Sequence, residues 1–216
     1  PRRLLRVACN VLRVDSSGDR RDPVEGDWPF RPSFETVLLS AQGGDGRAFE
    51  QLFEALNRRV HAFVRVRGAK DSEGLVNEVF LKVFTNLRDF KGNEVQFRAW
   101  VFTIARNKLI DEGRRTQRRV AETSLEAAME FGDEVASGVG DAEAEALSSL
   151  GSGWVADQLD ALTAEQREVV VLRIVGDLTI EAIAEVLGKR VGAVKALQRR
   201  AFRALARNLE LEAAPL

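Results

Sequence analysis

A chain of 216 residues with 45% hydrophobic and 30% charged residues can hold one large or two small domains, and its apolar content excludes global disorder. No apolar run approaches the roughly 18 residues needed to span a bilayer, and the single cysteine, Cys9, excludes an intrachain disulfide or a thiolate zinc cluster. Tyrosine is absent while Leu, Ala, Arg and Glu dominate, so an all-α protein is expected. Arg2, Arg3 and Arg6 precede a short apolar stretch, but Asn10 and Arg13 break it and no cleavage site follows, so a cytoplasmic location is expected.

Residues 1–33 mix Arg, Asp and Gly with Pro23, Pro29 and Pro32, and read as a largely irregular extension with one short helix near Leu4 to Val14. A short helix follows over Ser33 to Gln42. Asp45 can cap a longer one, with Phe49, Leu52, Phe53, Leu56, Val60 and Phe63 at helical spacing and Gly68 at its end. Asp71 or Ser72 starts a third helix whose inner face is Leu75, Val79, Phe80, Val83, Phe84 and Leu87. After the loop RDFKGNE, a fourth helix runs from about Val95 to Arg115, burying Phe97, Trp100, Val101, Ile104 and Leu109 or Ile110. Residues 120–152 are Gly-rich and acidic and read as a flexible linker. Thr163 and Gln166 then form a T-x-x-Q capping box opening a helix to about Val175.

From Thr179, Ile180, Ile183, Ala184 and Leu187 share one helical face; Gly188 breaks the pattern, and Val191, Val194, Leu197, Ala201 and Leu205 restart it. Two short amphipathic helices joined by a Gly-containing turn are a helix-turn-helix signature. Up to Arg207 the second helix carries Lys195, Arg199, Arg200, Arg203 and Arg207 and no acid, which suits a DNA major groove.

The net charge of −1 conceals segregation. Between Val120 and Gln166 there is no Lys or Arg but eleven acids, whereas Phe97 to Arg119 and Gly188 to Arg207 are strongly basic. Two polyanion-binding domains around an acidic connector are therefore expected. In the helix from Phe97, Arg106 and Asn107 fall on exposed positions and Arg114 and Arg115 form a basic pair. Asparagine can bind a base edge and arginines neutralise phosphates; on the residues alone, a surface helix with a buried Trp carries equal weight. His61 and Cys9 have no metal-ligand or nucleophile–base spacing around them, and His61 is expected to face solvent. No G-x-x-x-x-G-K-[ST] phosphate loop is present.

The order of the segments resembles the extracytoplasmic-function sigma factors, small two-domain bacterial transcription initiation factors, over Phe34 to Leu209. That family's region 2 reads roughly D-A-E-D-L-T-Q-E-V-F-L-K-V-W, then R-F-R-G, then F-R-A-W-L-F-R-I-A-R-N-x-x-I-D. Here the frame is DSEGLVNEVFLKVF from Asp71, DFKG from Asp89 and FRAWVFTIARNKLID from Phe97. Region 4 reads L-P-x-x-x-R-E-V-x-x-L-R-x-x-x-x-x-S-x-x-E-I-A-x-x-L-G, followed by S-V-G-T-V-K-S-R-L-x-R-A. The counterparts are LTAEQREVVVLRIVGDLTIEAIAEVLG from Leu162 and RVGAVKALQRRA from Arg190.

The resemblance implies a region 2 domain over 34–119, the acidic linker over 120–152, a region 4 domain over 153–209 and a tail over 210–216. It implies that Asn77, Glu78, Leu81, Lys82 and Phe84 meet the clamp helices of core RNA polymerase, region 4 the flap. The loop from Asp89 to Glu94 would capture a base extruded from the minus-10 strand, with Phe90 as an aromatic wall and Lys91 beside it. Asn107 would help hold the separated strand, with Lys108, Arg114, Arg115, Arg118 and Arg119 on nearby phosphates. Trp100 is weighed toward core packing, in register with Phe97 and Ile104. The minus-35 duplex would meet Arg190, Lys195, Arg199 and Arg200 toward the groove, with Arg203 and Arg207 nearer the backbone. The linker would thread the polymerase cleft. Promoter DNA and core polymerase are the implied partners, and room is left for an anti-sigma factor; no catalytic residue, metal, cofactor, membrane or small-molecule substrate is implied. Gly74, where the family has Asp, and Val76, where it has Thr, depart from the pattern, as do Arg190, Ala193 and Ala196 in place of hydroxyl residues. A self-sufficient helix-turn-helix repressor or activator is the alternative, although no heptad seam for a dimer is evident.

Overall fold

The computed structural model describes residues 33–126 and 158–213. Among them are α1 (Phe34–Gln42), α2 (Gly46–Val66), α3 (Ser72–Asn86), a 3-10 turn (Leu87–Asp89), α4 (Glu94–Glu126), α5 (Ala164–Ile174), α6 (Ile180–Leu187) and α7 (Val191–Ala213), and no strand. The fold is all-α. The short helix expected near 4–14 and most of the acidic stretch lie outside the described residues. Residues 33–126 and 171–190 belong to one compact unit, and residues 158–170 and 191–213 to another.

The helices begin where short polar side chains can satisfy the free N–H groups of a first turn. Ser33 Oγ accepts from Thr36 N at 3.2 Å, Asp45 Oδ1 from Arg47 N at 2.9 Å and Asp71 Oδ1 from Gly74 N at 2.8 Å. Each such cap contributes about 1 kcal/mol. A Cβ at Gly74 would meet only the Asp71 carboxylate, the end of a side chain that can turn aside, so nothing in the structure explains this departure from the family pattern.

In the larger unit, Leu52, Leu56, Val60, Phe63 and Val64 of α2, Val76, Val79 and Val83 of α3, and Phe97, Val101, Phe102 and Ala105 of α4 are buried. Phe63 meets Phe102 edge-on at 5.4 Å and Phe53 meets Phe80 at 4.6 Å. Such pairs add about 1 kcal/mol beyond their area. In the smaller unit, Leu162, Val170 and Ala201 are buried, with Leu159, Phe202, Ala204 and Leu205 against them. The capping box forms as expected: Thr163 N donates to Gln166 Oε1 at 3.1 Å, and Gln166 N to Thr163 Oγ1 at 3.3 Å.

Several expectations are corrected. α4 continues beyond Arg115 to Glu126, because its apolar stripe stops near Ile110 but the polar residues that follow are still compatible with helix. Phe84 is not on the inner face: it is 56% exposed, with its ring edge on Phe49 at 4.9 Å. Trp100, Ile104, Leu109 and Ile110 are only half-buried, while Ala99, Phe102 and Ala105 are buried in α4. Arg106 is half-buried rather than exposed. His61 is also half-buried, its Nε2 lying 3.4 Å from Ser72 Oγ. Val191, expected on the apolar face of its helix, is exposed.

α6 packs against α4, and an ion cluster lies in the same unit. The guanidinium of Arg98, 7% exposed, donates to Asp177 Oδ2 at 2.9 Å and approaches Glu94 Oε1 at 3.6 Å. Arg59 lies 3.5 Å from the same Asp177 oxygen. Burial pushes the Glu94 carboxyl above its ordinary value, against the opposing pull of Arg98.

Candidate nucleic-acid interface

The loop between the 3-10 turn and α4 is short and anchored. Leu87 is buried, and Leu87 O accepts from Phe90 N at 3.1 Å. Phe90 is half-buried, with its ring stacked on Trp100 at 5.0 Å and 28°, and edge-on to Phe97 at 5.4 Å. Trp100 is therefore a partner of the loop aromatic rather than a core residue. Lys91 and Asn107 are exposed. Asn107 lies seven residues beyond Trp100, about 10 Å along the same helix flank at 1.5 Å per residue. Phe90, Trp100 and Asn107 so form a row of two half-buried rings and one exposed amide.

Beyond Asn107 the flank turns basic. Arg114, Arg115 and Arg118 are exposed; Arg114 lies 4.0 Å from Asp111, and Arg118 Nε donates to Arg114 O at 3.4 Å. The side chain of Arg119 lies outside the described residues. Lys108 is different: its Nζ is 2.7 Å from Glu78 Oε2, so a lysine assigned to phosphates is paired with a glutamate assigned to the polymerase surface. No local pattern signals this pair, because the partners are 30 positions apart on separate helices.

The hydrogen bond from Lys108, then its charge and that of Arg115, hold the Glu78 carboxyl below its ordinary value of 4.5. A depressed carboxyl stabilises the fold above the unfolded value, and the contribution is lost as pH falls below 4.5 through the folded value. The pair is substantially exposed, so its contribution is small, about 0–1 kcal/mol. Glu78→Gln is expected to erase that acid-labile increment in melts followed from pH 7 to pH 3. It is also expected to free Lys108, steepening the salt dependence of single-strand binding by the isolated chain by up to about 0.7 in log–log slope. An unchanged slope would show that the pair with Glu78 does not hold Lys108 off a phosphate in the bound state.

On α3, Asn77, Glu78, Leu81, Lys82 and Phe84 are all exposed, and Leu81 at 64% and Phe84 at 56% stand among the most exposed large apolar side chains described. Leu39 of α1, 68% exposed, is a further one that the sequence did not single out.

At the other end of the chain, Thr179 Oγ1 accepts from Ala182 N at 3.1 Å, starting α6. Gly188 ends it with φ 61°, a left-handed conformation that costs glycine little. Gly188 N donates to Glu185 O at 3.2 Å and Lys189 N to Ala184 O at 2.9 Å, closing the helix abruptly so that α7 can start at Val191. Val194, Leu197 and Ala201 of α7 are buried, while Lys195, Arg199, Arg200, Arg203 and Arg207 are exposed, and Arg190 is exposed in the preceding turn. Lys195, Arg199 and Arg203 recur every four residues and make one cationic stripe.

A basic helix after a tight turn, and an aromatic loop beside a basic helix flank, are two surfaces of the kind that nucleic-acid-binding proteins carry. Residues 52–119 match the family Sigma-70 region 2, and residues 152–205 match Sigma-70, region 4. The chain is 34% identical over 175 residues to the ECF RNA polymerase sigma factor BldN of Streptomyces coelicolor, covering 80% of this chain and 64% of BldN. It is 35% identical over 133 residues to the ECF RNA polymerase sigma factor ShbA of Streptomyces griseus, covering 60% of this chain and 67% of ShbA. The chain thus spans about two-thirds of the length of these relatives. Among solved structures, the sigma factor RpoE of Bartonella quintana, in complex with the anti-sigma factor NepR, superimposes with a TM-score of 0.55 at 25% identity, covering 75% of this chain and 96% of RpoE. The chain belongs to the extracytoplasmic-function sigma factors of the sigma-70 family.

Proposed function

We propose that the chain is a dissociable, non-enzymatic cytoplasmic subunit that directs core RNA polymerase to promoters. α7 reads the minus-35 duplex through Arg190, Lys195, Arg199 and Arg200, with Arg203 on the backbone. The Phe90 loop with Lys91, Asn107 and the basic flank of Lys108, Arg114, Arg115 and Arg118 captures the opened minus-10 strand. The exposed face of α3 docks on the clamp helices. The segment division at 34–119, 120–152 and 153–209 separates these tasks, and the polymerase sets the spacing of the two DNA contacts. The relative RpoE is held by an anti-sigma factor, and a comparable inhibitor is a fitting partner here.

The observation that carries this reading is the half-buried Phe90–Trp100 stack in line with the exposed Asn107. Extruding a base costs a few kcal/mol, and an aromatic face with a nearby amide offsets that cost. Phe90→Ala should destabilise the open complex by about 1–3 kcal/mol, seen as lost permanganate reactivity in the minus-10 region, with core binding unchanged. Full opening by the variant would remove Phe90 from strand capture.

A further inference from the structure

We propose that Gln42, the last residue of α1, is a positioning residue for strand capture, acting through Phe90. The proposal rests on the reading of the Phe90 loop given above. Gln42 lies outside the residues 52–119 that match region 2. Its side-chain amide nevertheless reaches across the unit and donates to Leu87 O at 2.9 Å and to Phe90 O at 2.8 Å. A side-chain amide has two N–H donors, and here both are spent on the two carbonyls that flank the entry to the loop. The opposite orientation would set the amide oxygen against two carbonyl oxygens, so the bracket works one way round only.

The far end of the loop is fixed independently. Asn93 N donates to Gln96 Oε1 at 2.9 Å and Gln96 N to Asn93 Oδ1 at 3.0 Å. Between these two clamps the backbone comes so close to the side chains that a Cβ on Gly92 would lie 2.7 Å from Gln96 Oε1 and 3.0 Å from Phe90 Cζ. The Phe90 ring is thereby held against Trp100 and Phe97 before any strand arrives. A loop ordered in advance does not charge its conformational entropy to the capture step. Loss of the bracket would let Phe90 leave Trp100, and each binding event would then include reordering the loop.

The test uses holoenzyme assembled from core polymerase and the full chain. The probe is a single-stranded oligonucleotide selected from a random library by the wild-type holoenzyme. Gln42→Met keeps the length of the side chain and removes both donors; Gln42→Glu keeps the shape and offers only acceptors at neutral pH. Each is expected to weaken probe binding about tenfold, the effect of a loop that keeps its capture-ready arrangement about one-tenth of the time, with core binding and minus-35 duplex affinity unchanged. The same substitutions are then made beside Phe90→Ala. If Gln42 acts through Phe90, they add little in that background. Equal weakening with and without Phe90, or unchanged binding in both single variants despite a defect in Phe90→Ala, overturns the positioning role. No defect in Phe90→Ala overturns instead the reading of the loop on which the role rests.

Discussion

Replacing Leu81 and Phe84 together by aspartate is expected to abolish binding to core polymerase while the helices persist. Both side chains are largely exposed, at 64% and 56%, on one face of α3. Their aliphatic and aromatic surfaces have no core to fill, apart from the edge contact of Phe84 with Phe49 at 4.9 Å. Burying the exposed part of each against a partner supplies about 1–2 kcal/mol, so losing both weakens the complex by at least about thirtyfold. Carboxylates forced into the same apolar contact add a desolvation cost. Co-sedimentation with core polymerase and a circular-dichroism melt separate the two effects. Retained affinity in a folded variant would place the polymerase contact elsewhere than on this face.

The second large effect is expected on α7. Lys195, Arg199 and Arg203 form its exposed stripe, while Val194, Leu197 and Ala201 hold its buried side. Substituting Arg190, Lys195, Arg199 or Arg200 with alanine should shift sequence preference, by about 1–3 kcal/mol for a bidentate base contact. Substituting Arg203 or Arg207 should weaken all promoters alike and flatten the salt dependence by about 0.9 per contact. Selection of bound duplexes from a random library, repeated at several salt concentrations, reads both quantities. Uniform weakening from all six would show that α7 positions the protein without specifying sequence.

Much of the fold was legible because its signals are local. The caps at Ser33, Asp45, Asp71, Thr163 and Thr179 and the breaks at Gly68 and Gly188 each depend on a few neighbouring residues, and the helix starts fall where those residues place them. Apolar periodicity located α2 and α3 well. It failed for the second half of α4, where the helix outlasts its apolar stripe, and for Phe84 and Trp100, whose hydrophobicity does not say what they face. Phe84 is apolar on an open surface, and Trp100 covers a loop aromatic instead of filling the core.

The candidate site is legible in its residue types but not in its pairings. The motif around Phe90 and Asn107 and the run of cations after Gly188 are visible in the sequence. The bracket from Gln42 to the loop, the Lys108–Glu78 pair and the Arg98–Asp177 pair join positions 30 to 79 residues apart, and only the folded chain brings them together.

The central claim, that this chain gives a polymerase its promoters, is tested most directly by adding the purified chain to core RNA polymerase and transcribing a library of candidate promoters. Discrete transcripts that start downstream of one shared pair of minus-35 and minus-10 elements, and that vanish without the chain, are the expected result. Specific duplex binding by the chain alone, with no association with core polymerase and no transcript, would contradict it.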